Sequence, residues 1–165
     1  SRCPGCGLSM PVRSSAGYDG YFHTSPECWQ VFTEVLASEY SNAVLFGRIH
    51  QLTVDTYAVQ HAGGRHPDKS VGIHFAGLYL MLAQGASPTD VPRLHQRLAE
   101  RVDQWPHFEP PSRKVALTIF DIALAATAED HVRLVRDWAH EVWDAWAQHH
   151  SEIEDLVAEK LTSTN

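Results

Sequence analysis

The sequence predicts an all-α protein, an antiparallel bundle of helices that carries an irregular cap at its amino terminus. Apolar residues recur at every third or fourth position through most of the chain, which is the period of an amphipathic helix. No segment alternates apolar and polar residues convincingly, as a half-buried strand would. At 165 residues and 44% hydrophobic composition, the chain can bury one core. We therefore expect one compact domain, with residues 1–28 as the cap and residues 29–165 as the bundle.

The cap ends where the first helix begins. Residues 1–24 are rich in Gly, Pro and Ser and show no sustained periodicity, so they predict irregular structure. Ser25 has the residue type of an N-cap, Pro26 suits the first helical position, and Glu27 places an acid in the first turn. Apolar residues at helical spacing continue this first helix to Tyr40.

Two further helices are predicted on either side of a polar turn. The second covers residues 43–61 with one apolar stripe, and Gly63-Gly64 ends it. The third covers residues 71–84, with Ser70 as its expected N-cap and a glycine directly after it. Apolar residues lie almost all round this third helix, which predicts a position at the centre of the fold.

The second half of the chain predicts three more helices and one long loop. A short amphipathic helix follows the turn at residues 87–90, and three prolines make residues 105–112 an extended loop. Residues 115–126 mix strand-forming Val, Thr and Ile with alanines, and we interpret them as a helix. Thr127 has the position of a capping residue, and a regular apolar spacing predicts one unbroken helix over residues 129–161.

The three cysteines indicate a metal site. Cys3 and Cys6 are separated by a Pro-Gly turn, in which two thiolates converge on one ion. Cys28 stands in the first turn of the first helix, where the helix dipole favours a thiolate. His23 is the expected fourth ligand, and His50 on the second helix is its rival. A closed set of three cysteines and one histidine is typical of a structural site, and its soft donors select zinc.

A redox dithiol is the alternative for the Cys-x-x-Cys motif. No βαβ pattern surrounds the motif, although a thioredoxin-like site requires one. A segment of about 25 residues without a core of its own also needs another source of folding free energy, which a bound metal supplies. The sequence therefore predicts an amino-terminal zinc knuckle.

A second candidate site lies among the histidines of the bundle. His50, Tyr57 and His61 fall on one face of the second helix, although His50 and His61 are about 16 Å apart along its axis. The turn into the antiparallel third helix brings His61 and His74 to the same end of the bundle, with Tyr57 level with His74. These residues predict a pocket, either for a second divalent transition metal or for acid–base chemistry on a small molecule. The alternative is a set of hydrogen-bonded core histidines.

Other residues near these histidines are weaker candidates for the second site. His66 on the connecting loop is a movable addition, whereas Asp55 and Gln60 point elsewhere on the second helix and are weaker candidates. The tryptophan-rich stretch at residues 138–146 is bulky enough for a core or for an apolar pocket. The alternative function is a non-catalytic interaction module, in which this stretch contacts a partner protein or a second copy of the chain.

Charge and composition restrict the partners. The formal net charge is −7, and the 13 Lys and Arg residues are scattered, so no basic stripe is available for nucleic acid. The longest apolar stretches fall far short of the ~20 residues that a bilayer demands. Cysteine usage without a disulfide framework and the lack of an apolar leader predict a cytoplasmic protein. The sequence does not distinguish between a small-molecule ligand, a protein partner and a second copy of the chain in a homodimer.

Three segments resemble a family of small, uncharacterised bacterial proteins. They are the Cys-Pro-Gly-Cys-Gly start, residues 50–61 and residues 138–146. The resemblance spans nearly the whole chain and implies no activity, because none is assigned to that family. The bundle is also similar in fold to the metal-dependent four-helix DinB-type proteins. This chain lacks the His-x-x-x-His pair that those proteins carry on a late helix, so the similarity concerns the fold only.

Overall fold

Seven α-helices build the part of the chain that this computed structural model describes, residues 1–13, 16–18 and 20–162. Within those ranges the only extended pairing is an isolated bridge between Arg2 and Ser9. The predicted all-α class is therefore confirmed. The helices are α1 (Pro26–Tyr40), α2 (Ala43–Gln60), α3 (Asp68–Leu78), α4 (Val91–Arg101), α5 (Ile119–Ala123), α6 (Ala128–Ala145) and α7 (His150–Leu161).

The central helix is α2, which packs against α1, α3 and α6. Further helices pack around these four. α3 also packs against α4 and α7, and α5 packs against α1 and α6. The core between them is aliphatic and aromatic, with Ile49, Tyr57, Phe75 and Trp138 fully buried. Within the described ranges, no helix combines the length and the apolar surface that crossing a bilayer requires.

The first two helices begin and end where their capping residues predict. The Ser25 hydroxyl accepts a hydrogen bond from the Cys28 N–H at 3.2 Å, which fixes the start of α1. His61 is the C-cap of α2. Gly63 and Gly64 follow with φ of +108° and +53°, backbone conformations that favour glycine. These two glycines turn the chain sharply towards α3.

The third helix begins three residues earlier than predicted. Its first residue is Asp68, and Pro67 rather than Ser70 occupies the N-cap position. The prediction for Ser70 is wrong because its hydroxyl bonds His66 Nε2 instead, at 2.8 Å. At its other end the helix widens into a π-helical turn, Tyr79–Ala83.

Only the middle of residues 115–126 is helical. Thr118 and Asp121 form a reciprocal capping box, in which the Thr118 N–H donates to Asp121 Oδ2 at 2.8 Å. The backbone of Leu117 is hydrogen-bonded to side chains of α2 and α6. The predicted helix is therefore too long, because the chain before Thr118 bonds to its neighbours rather than to itself.

The long helix predicted over residues 129–161 is two helices. α6 ends at Ala145, and a 3₁₀ turn, Ala147–His149, separates it from α7. The break turns Trp146 into the core, where it is 2% exposed and its ring lies 5.1 Å from the ring of Phe75. One unbroken helix is wrong because burying this indole outweighs the helical hydrogen bonds that the break gives up.

The amino-terminal segment is tied to the bundle at several points. Its turn is closed by two backbone hydrogen bonds, from Cys3 to Leu8 at 2.8 Å and from Gly7 to Cys3 at 2.9 Å. The Ser1 hydroxyl donates to the Glu27 carboxylate on α1 at 2.6 Å. The cysteines of the turn belong to the same buried cluster as residues of α1 and α2. The division into a cap and a bundle stays a prediction.

Candidate metal centre

Three thiols and one imidazole converge beneath the amino-terminal turn. The Sγ atoms of Cys3, Cys6 and Cys28 and one ring nitrogen of His61 all lie within 4.8 Å of one another. Cys6 Sγ is 3.8 Å from Cys28 Sγ, and Cys28 Sγ is 3.5 Å from His61 Nε2. None of the four residues is more than 4% exposed. This group, called the cysteine cluster below, could hold one metal ion.

Two separations within the cysteine cluster match those around a tetrahedral ion. Zinc bonds of about 2.3 Å to sulfur and about 2.0 to 2.1 Å to nitrogen place two sulfurs about 3.8 Å apart, and a sulfur and a nitrogen about 3.5 Å apart. The observed separations are 3.8 Å and 3.5 Å. These two pairs of atoms are therefore spaced as one tetrahedral ion requires.

Two helix ends position half of the cluster. Cys28 is the third residue of α1, at the positive end of the helix dipole, where a thiolate is favoured. His61 caps the carboxyl end of α2. The His23 N–H donates to the His61 carbonyl oxygen at 2.9 Å, which joins the chain before α1 to the end of α2. The two helices therefore present their ligands to the same turn.

Hydrogen bonds orient the imidazole and support the thiols. His61 Nδ1 donates to the Tyr57 carbonyl oxygen at 2.7 Å, which turns Nε2 towards the sulfurs. The Tyr57 hydroxyl donates to Cys28 Sγ at 3.4 Å and lies 2.8 Å from Thr24 Oγ1. Thr24 Oγ1 is in turn 3.5 Å from Cys3 Sγ. Tyr57 is therefore a support of the cysteine cluster rather than part of a separate site.

Hydrogen bonds within the cluster shift the pKa values of its thiols and of its imidazole. The pKa of the Cys3 thiol lies far below its ordinary value because the Cys28 and Cys6 side chains are hydrogen-bonded to it. Those same interactions, first with Cys28 and then with Cys3, raise the pKa of Cys6. Burial acts to lower the pKa of His61, but hydrogen bonds with Cys28 and Cys3 outweigh it and raise that pKa to about 9. Burial raises the pKa of Tyr57, so its hydroxyl stays a neutral donor.

Gly5 lets the amino-terminal turn lie directly against His61. A Cβ built on Gly5 would overlap the His23 carbonyl oxygen and lie 2.6 Å from His61 Cδ2. Because the His23 oxygen belongs to the backbone, it cannot move aside as a flexible side chain would. The ammonium group of Lys114 holds the outside of the turn through the carbonyl oxygens of Pro4 and Gly5, at 3.0 Å and 2.5 Å.

Gly5→Ala is expected to weaken metal binding by about 10- to 100-fold, the range for changes that shift ligands without removing them. Competition with a chromophoric chelator measures this affinity. Gly47→Ala is the matched control, since a Cβ there meets nothing within 4 Å. It should leave the affinity unchanged and stabilise α2 by about 0.5 to 1 kcal/mol. An unchanged affinity in Gly5→Ala would contradict the close approach of the turn to His61.

Neither residue predicted as the fourth ligand lies in the cysteine cluster. His23 contributes its backbone, and its ring lies against Gly64, where a Cβ would be 2.5 Å from His23 Nδ1. His50 lies further along α2, with its Nδ1 2.9 Å from Glu39 Oε1. The structure places the ring of His61 beside the three sulfurs instead, because the end of α2 points it at them, and which histidine binds an ion stays a prediction.

The predicted pocket of Tyr57, His61, His74 and His50 is also not one site. Tyr57 and His61 belong to the cysteine cluster, and His50 pairs with a buried carboxylate of α1. His74 Nδ1 donates to Asp55 Oδ1 at 2.7 Å. The register of α3 on α2 places His74 beside Asp55, which precedes His61 by about 9 Å along the helix axis. The structure therefore gives these four residues different partners and does not group them in one cluster.

His66 is fixed rather than movable. It is 6% exposed, its Nδ1 donates to the His61 carbonyl oxygen at 3.0 Å, and its Nε2 is 2.8 Å from Ser70 Oγ. Burial lowers the pKa of His66 to about 4, so the ring stays neutral. It therefore locks the loop after α2 and the first turn of α3 in place.

Sequence reasoning ranked Asp55 as a weaker candidate and missed His95, and both lie together with His74 in a second group of ligand-type side chains. A signal for each was present, because both stand on apolar stripes. Asp55 follows the buried Leu52 by three residues, and His95 stands between the buried Val91 and Leu98. Burial acts to raise the pKa of Asp55, but the interactions with its two histidine neighbours outweigh it and lower that pKa.

Fold and site together define a class, an all-helical protein with a buried group of three cysteines and one histidine that could bind a metal. The chain belongs to the family of unknown function DUF5946, whose model matches residues 1–147. This span includes the whole cysteine cluster. No curated protein and no solved structure matches the chain. The resemblance to an uncharacterised family is confirmed at the level of the family, and no activity comes with it.

Proposed function

We propose that this protein binds one zinc ion through Cys3, Cys6, Cys28 and His61, and that the ion fastens the amino-terminal segment to the helical bundle. The observation that supports this most is the convergence of four buried ligand atoms within 4.8 Å of one another. All three cysteines are free thiols, and none of them takes part in a disulfide. Thiolates so close together repel one another unless a cation compensates their charge.

The donor set favours zinc and a structural role. Soft thiolates with one imidazole select zinc over magnesium, calcium or manganese. Four protein ligands complete a tetrahedron and leave no position for a water or a substrate, which is typical of sites that hold a fold together. The neutral hydroxyls of Tyr57 and Thr24 beside the sulfurs support the ligands without competing for the ion.

The ion would join three separate parts of the chain, namely the turn at residues 3–6, the start of α1 and the end of α2. The first 24 residues have little apolar surface to bury, since Leu8, Met10 and Phe22 are only partly buried against the core. Binding free energy at such a site becomes folding free energy, because the unfolded chain has no preformed site. The zinc ion therefore supplies what the short segment lacks.

The tryptophan-rich stretch supports no separate interaction surface. Trp138 and Trp146 are buried in the core, and Trp143 stacks on His150 with ring centroids 3.6 Å apart. A protein partner or a second copy, and the exclusion of nucleic acid and of membranes, remain our predictions. So does a cytoplasmic location, where a reducing environment keeps thiols available to zinc.

The fourth ligand gives the sharpest test of this proposal. His61→Ala is expected to weaken zinc binding by more than about 100-fold, because changes outside the ligand set already cost about 10- to 100-fold. His23→Ala should change the affinity by less than about 10-fold, since it keeps the backbone hydrogen bond to His61. Zinc competition with a chromophoric chelator gives both values, and circular dichroism verifies that each variant stays helical. The reverse ranking would reject the assignment of His61, and a wild-type protein without tightly held zinc would reject the proposal.

A further inference from the structure

A second group of ligand-type side chains connects three helices. Asp55 on α2, His74 on α3 and His95 on α4 each offer one ligand atom, and these atoms lie within 4.8 Å of one another. The Asp55 side chain has no exposed surface, whereas the side chains of His74 and His95 are 19% and 13% exposed. A buried carboxylate thus lies behind two imidazoles that solvent reaches. We call this group the aspartate cluster.

Two facing atoms of the aspartate cluster lack hydrogen-bond partners. Asp55 Oδ1 accepts from His74 Nδ1 at 2.7 Å and from Gln51 Nε2 at 2.9 Å. Asp55 Oδ2 and His95 Nε2 are buried and without a hydrogen bond, although they lie 3.3 Å apart. Folded proteins leave few buried polar atoms in this state, and each one calls for an explanation. A cation bonded to both atoms would satisfy them together.

The separation of these two atoms suits such a cation. Bonds of about 2.0 to 2.2 Å from one ion to a histidine nitrogen and a carboxylate oxygen place the two atoms about 3.4 Å apart at a tetrahedral angle. The observed separation between Asp55 Oδ2 and His95 Nε2 is 3.3 Å. This separation therefore suits one ion bonded to both atoms.

The backbone of α3 lies directly against the same two atoms. Gly77 lies one turn after His74 on α3, and a Cβ built there would overlap Asp55 Oδ2 and come within 2.5 Å of His95 Nε2. Any other residue would clash with these two atoms. Glycine therefore lets Asp55 and His95 approach the backbone of α3 this closely.

A comparison within the molecule separates this group from an ordinary buried network. Glu39 also lies between two histidines, but its Oε1 bonds His50 at 2.9 Å, and its Oε2 bonds His131 at 2.7 Å and Thr53 at 2.6 Å. Every oxygen there has a partner, which indicates a structural role. Two histidines around a carboxylate are thus not sufficient for a metal site, and the unpaired atoms beside Asp55 are the difference.

We propose that Asp55, His74 and His95 bind a second metal ion, a divalent first-row transition ion. Two imidazoles and one carboxylate suit Zn²⁺, Fe²⁺, Co²⁺ or Ni²⁺ better than Ca²⁺ or Mg²⁺, which prefer oxygen ligands. Three protein ligands leave coordination positions free, and the two histidine side chains are partly exposed around the buried ligand atoms. This site is therefore open, unlike the cysteine cluster, and it does not depend on zinc binding there.

Cobalt distinguishes the two sites in one titration of the full chain. Thiolate-bound Co²⁺ absorbs strongly through sulfur-to-metal charge transfer, whereas Co²⁺ on nitrogen and oxygen ligands does not. The wild-type protein is expected to retain about two equivalents of Co²⁺ after gel filtration, of which about one gives the charge-transfer band. His95→Gln should retain about one equivalent with that band intact, a loss of about half of the bound metal. His140→Gln, at an exposed position outside both clusters, is the matched control and should behave as the wild type.

Each result decides the proposal. A wild-type protein that binds only its charge-transfer equivalent, or a His95→Gln variant that still retains both ions, would overturn it. Loss of one ion in His95→Gln without any charge-transfer band in either protein would support the aspartate cluster and reject the cysteine cluster. If His95→Gln fails to fold, His74→Gln and the Co²⁺-dependent rise of the wild-type Tm provide the test, because binding to the folded state raises Tm and the loss of a ligand removes that rise.

Discussion

Replacing Cys28 by serine is expected to release the bound zinc and to lower the Tm by roughly 5 to 10 °C. Removal of one ligand weakens binding by more than about 100-fold. At saturating zinc that factor corresponds to about 2.7 kcal/mol of lost stabilisation or more, and in a domain of this length about 1 kcal/mol moves the Tm by about 2 to 4 °C. Cys28 is the most informative position because it is fully buried and lies against both Cys6 and His61. Metal analysis and scanning calorimetry give the two quantities.

Chelation separates the loss of zinc from the loss of a buried thiol. Wild-type protein stripped of metal should melt close to the temperature of Cys28→Ser, because both then lack the ion. Thr33→Ala, at an exposed position of the same helix, should keep its zinc and its Tm. A Cys28→Ser variant that held a full equivalent of zinc at an unchanged Tm would show that the thiols do not bind the ion.

The cysteine cluster shows which part of a site a sequence can predict. The Cys-x-x-Cys turn and the cysteine at the start of α1 are local features, so their residue types and spacing indicate them directly. The fourth ligand depends on how the end of α2 docks on the turn, which is a contact over more than fifty residues of sequence. His23 is near the cysteines in sequence, but its backbone bonds His61 and its ring lies against Gly64. Proximity in sequence therefore selected a histidine whose ring the structure places outside the cysteine cluster.

The fold follows the same division between local and distant causes. The bounds of α1 and α2 were predictable because caps and glycines are read from neighbouring residues. The break after α6 was not, since the apolar spacing continues through Trp146 and only its packing against Phe75 of α3 interrupts the helix. Likewise, Asp55 stands on the apolar stripe of α2, where an acid is costly unless distant side chains bond it. Those side chains, His74 and His95, come from two other helices.

A second large effect is expected at Glu39, a carboxylate without exposed surface that connects three helices. It accepts hydrogen bonds from His50 and Thr53 on α2 and from His131 on α6, at 2.6 to 2.9 Å. A glutamine amide has one accepting oxygen in place of two, so Glu39→Gln leaves at least one of these buried donors facing an N–H group. Breaking a buried charged interaction of this kind costs about 3 kcal/mol, and urea unfolding at neutral pH measures it.

The pH dependence of this loss identifies the carboxylate as its cause. Burial acts to raise the pKa of Glu39, but hydrogen bonds from His131, His50 and Thr53 outweigh it and hold that pKa below its ordinary value of 4.5. As the pH falls below 4.5, the unfolded chain takes up a proton at Glu39 before the folded protein does, so the stabilisation is complete above that pH and is lost through the lower, folded pKa. The difference in unfolding free energy between wild type and Glu39→Gln should therefore shrink below pH 4.5, whereas Glu34→Gln, exposed on the same helix, should show no such difference. A free-energy difference that stayed constant down to the acid transition would mean that the Glu39 pKa is not lowered in the folded protein. Only a difference between the folded and unfolded pKa values of Glu39 makes that free-energy difference depend on pH.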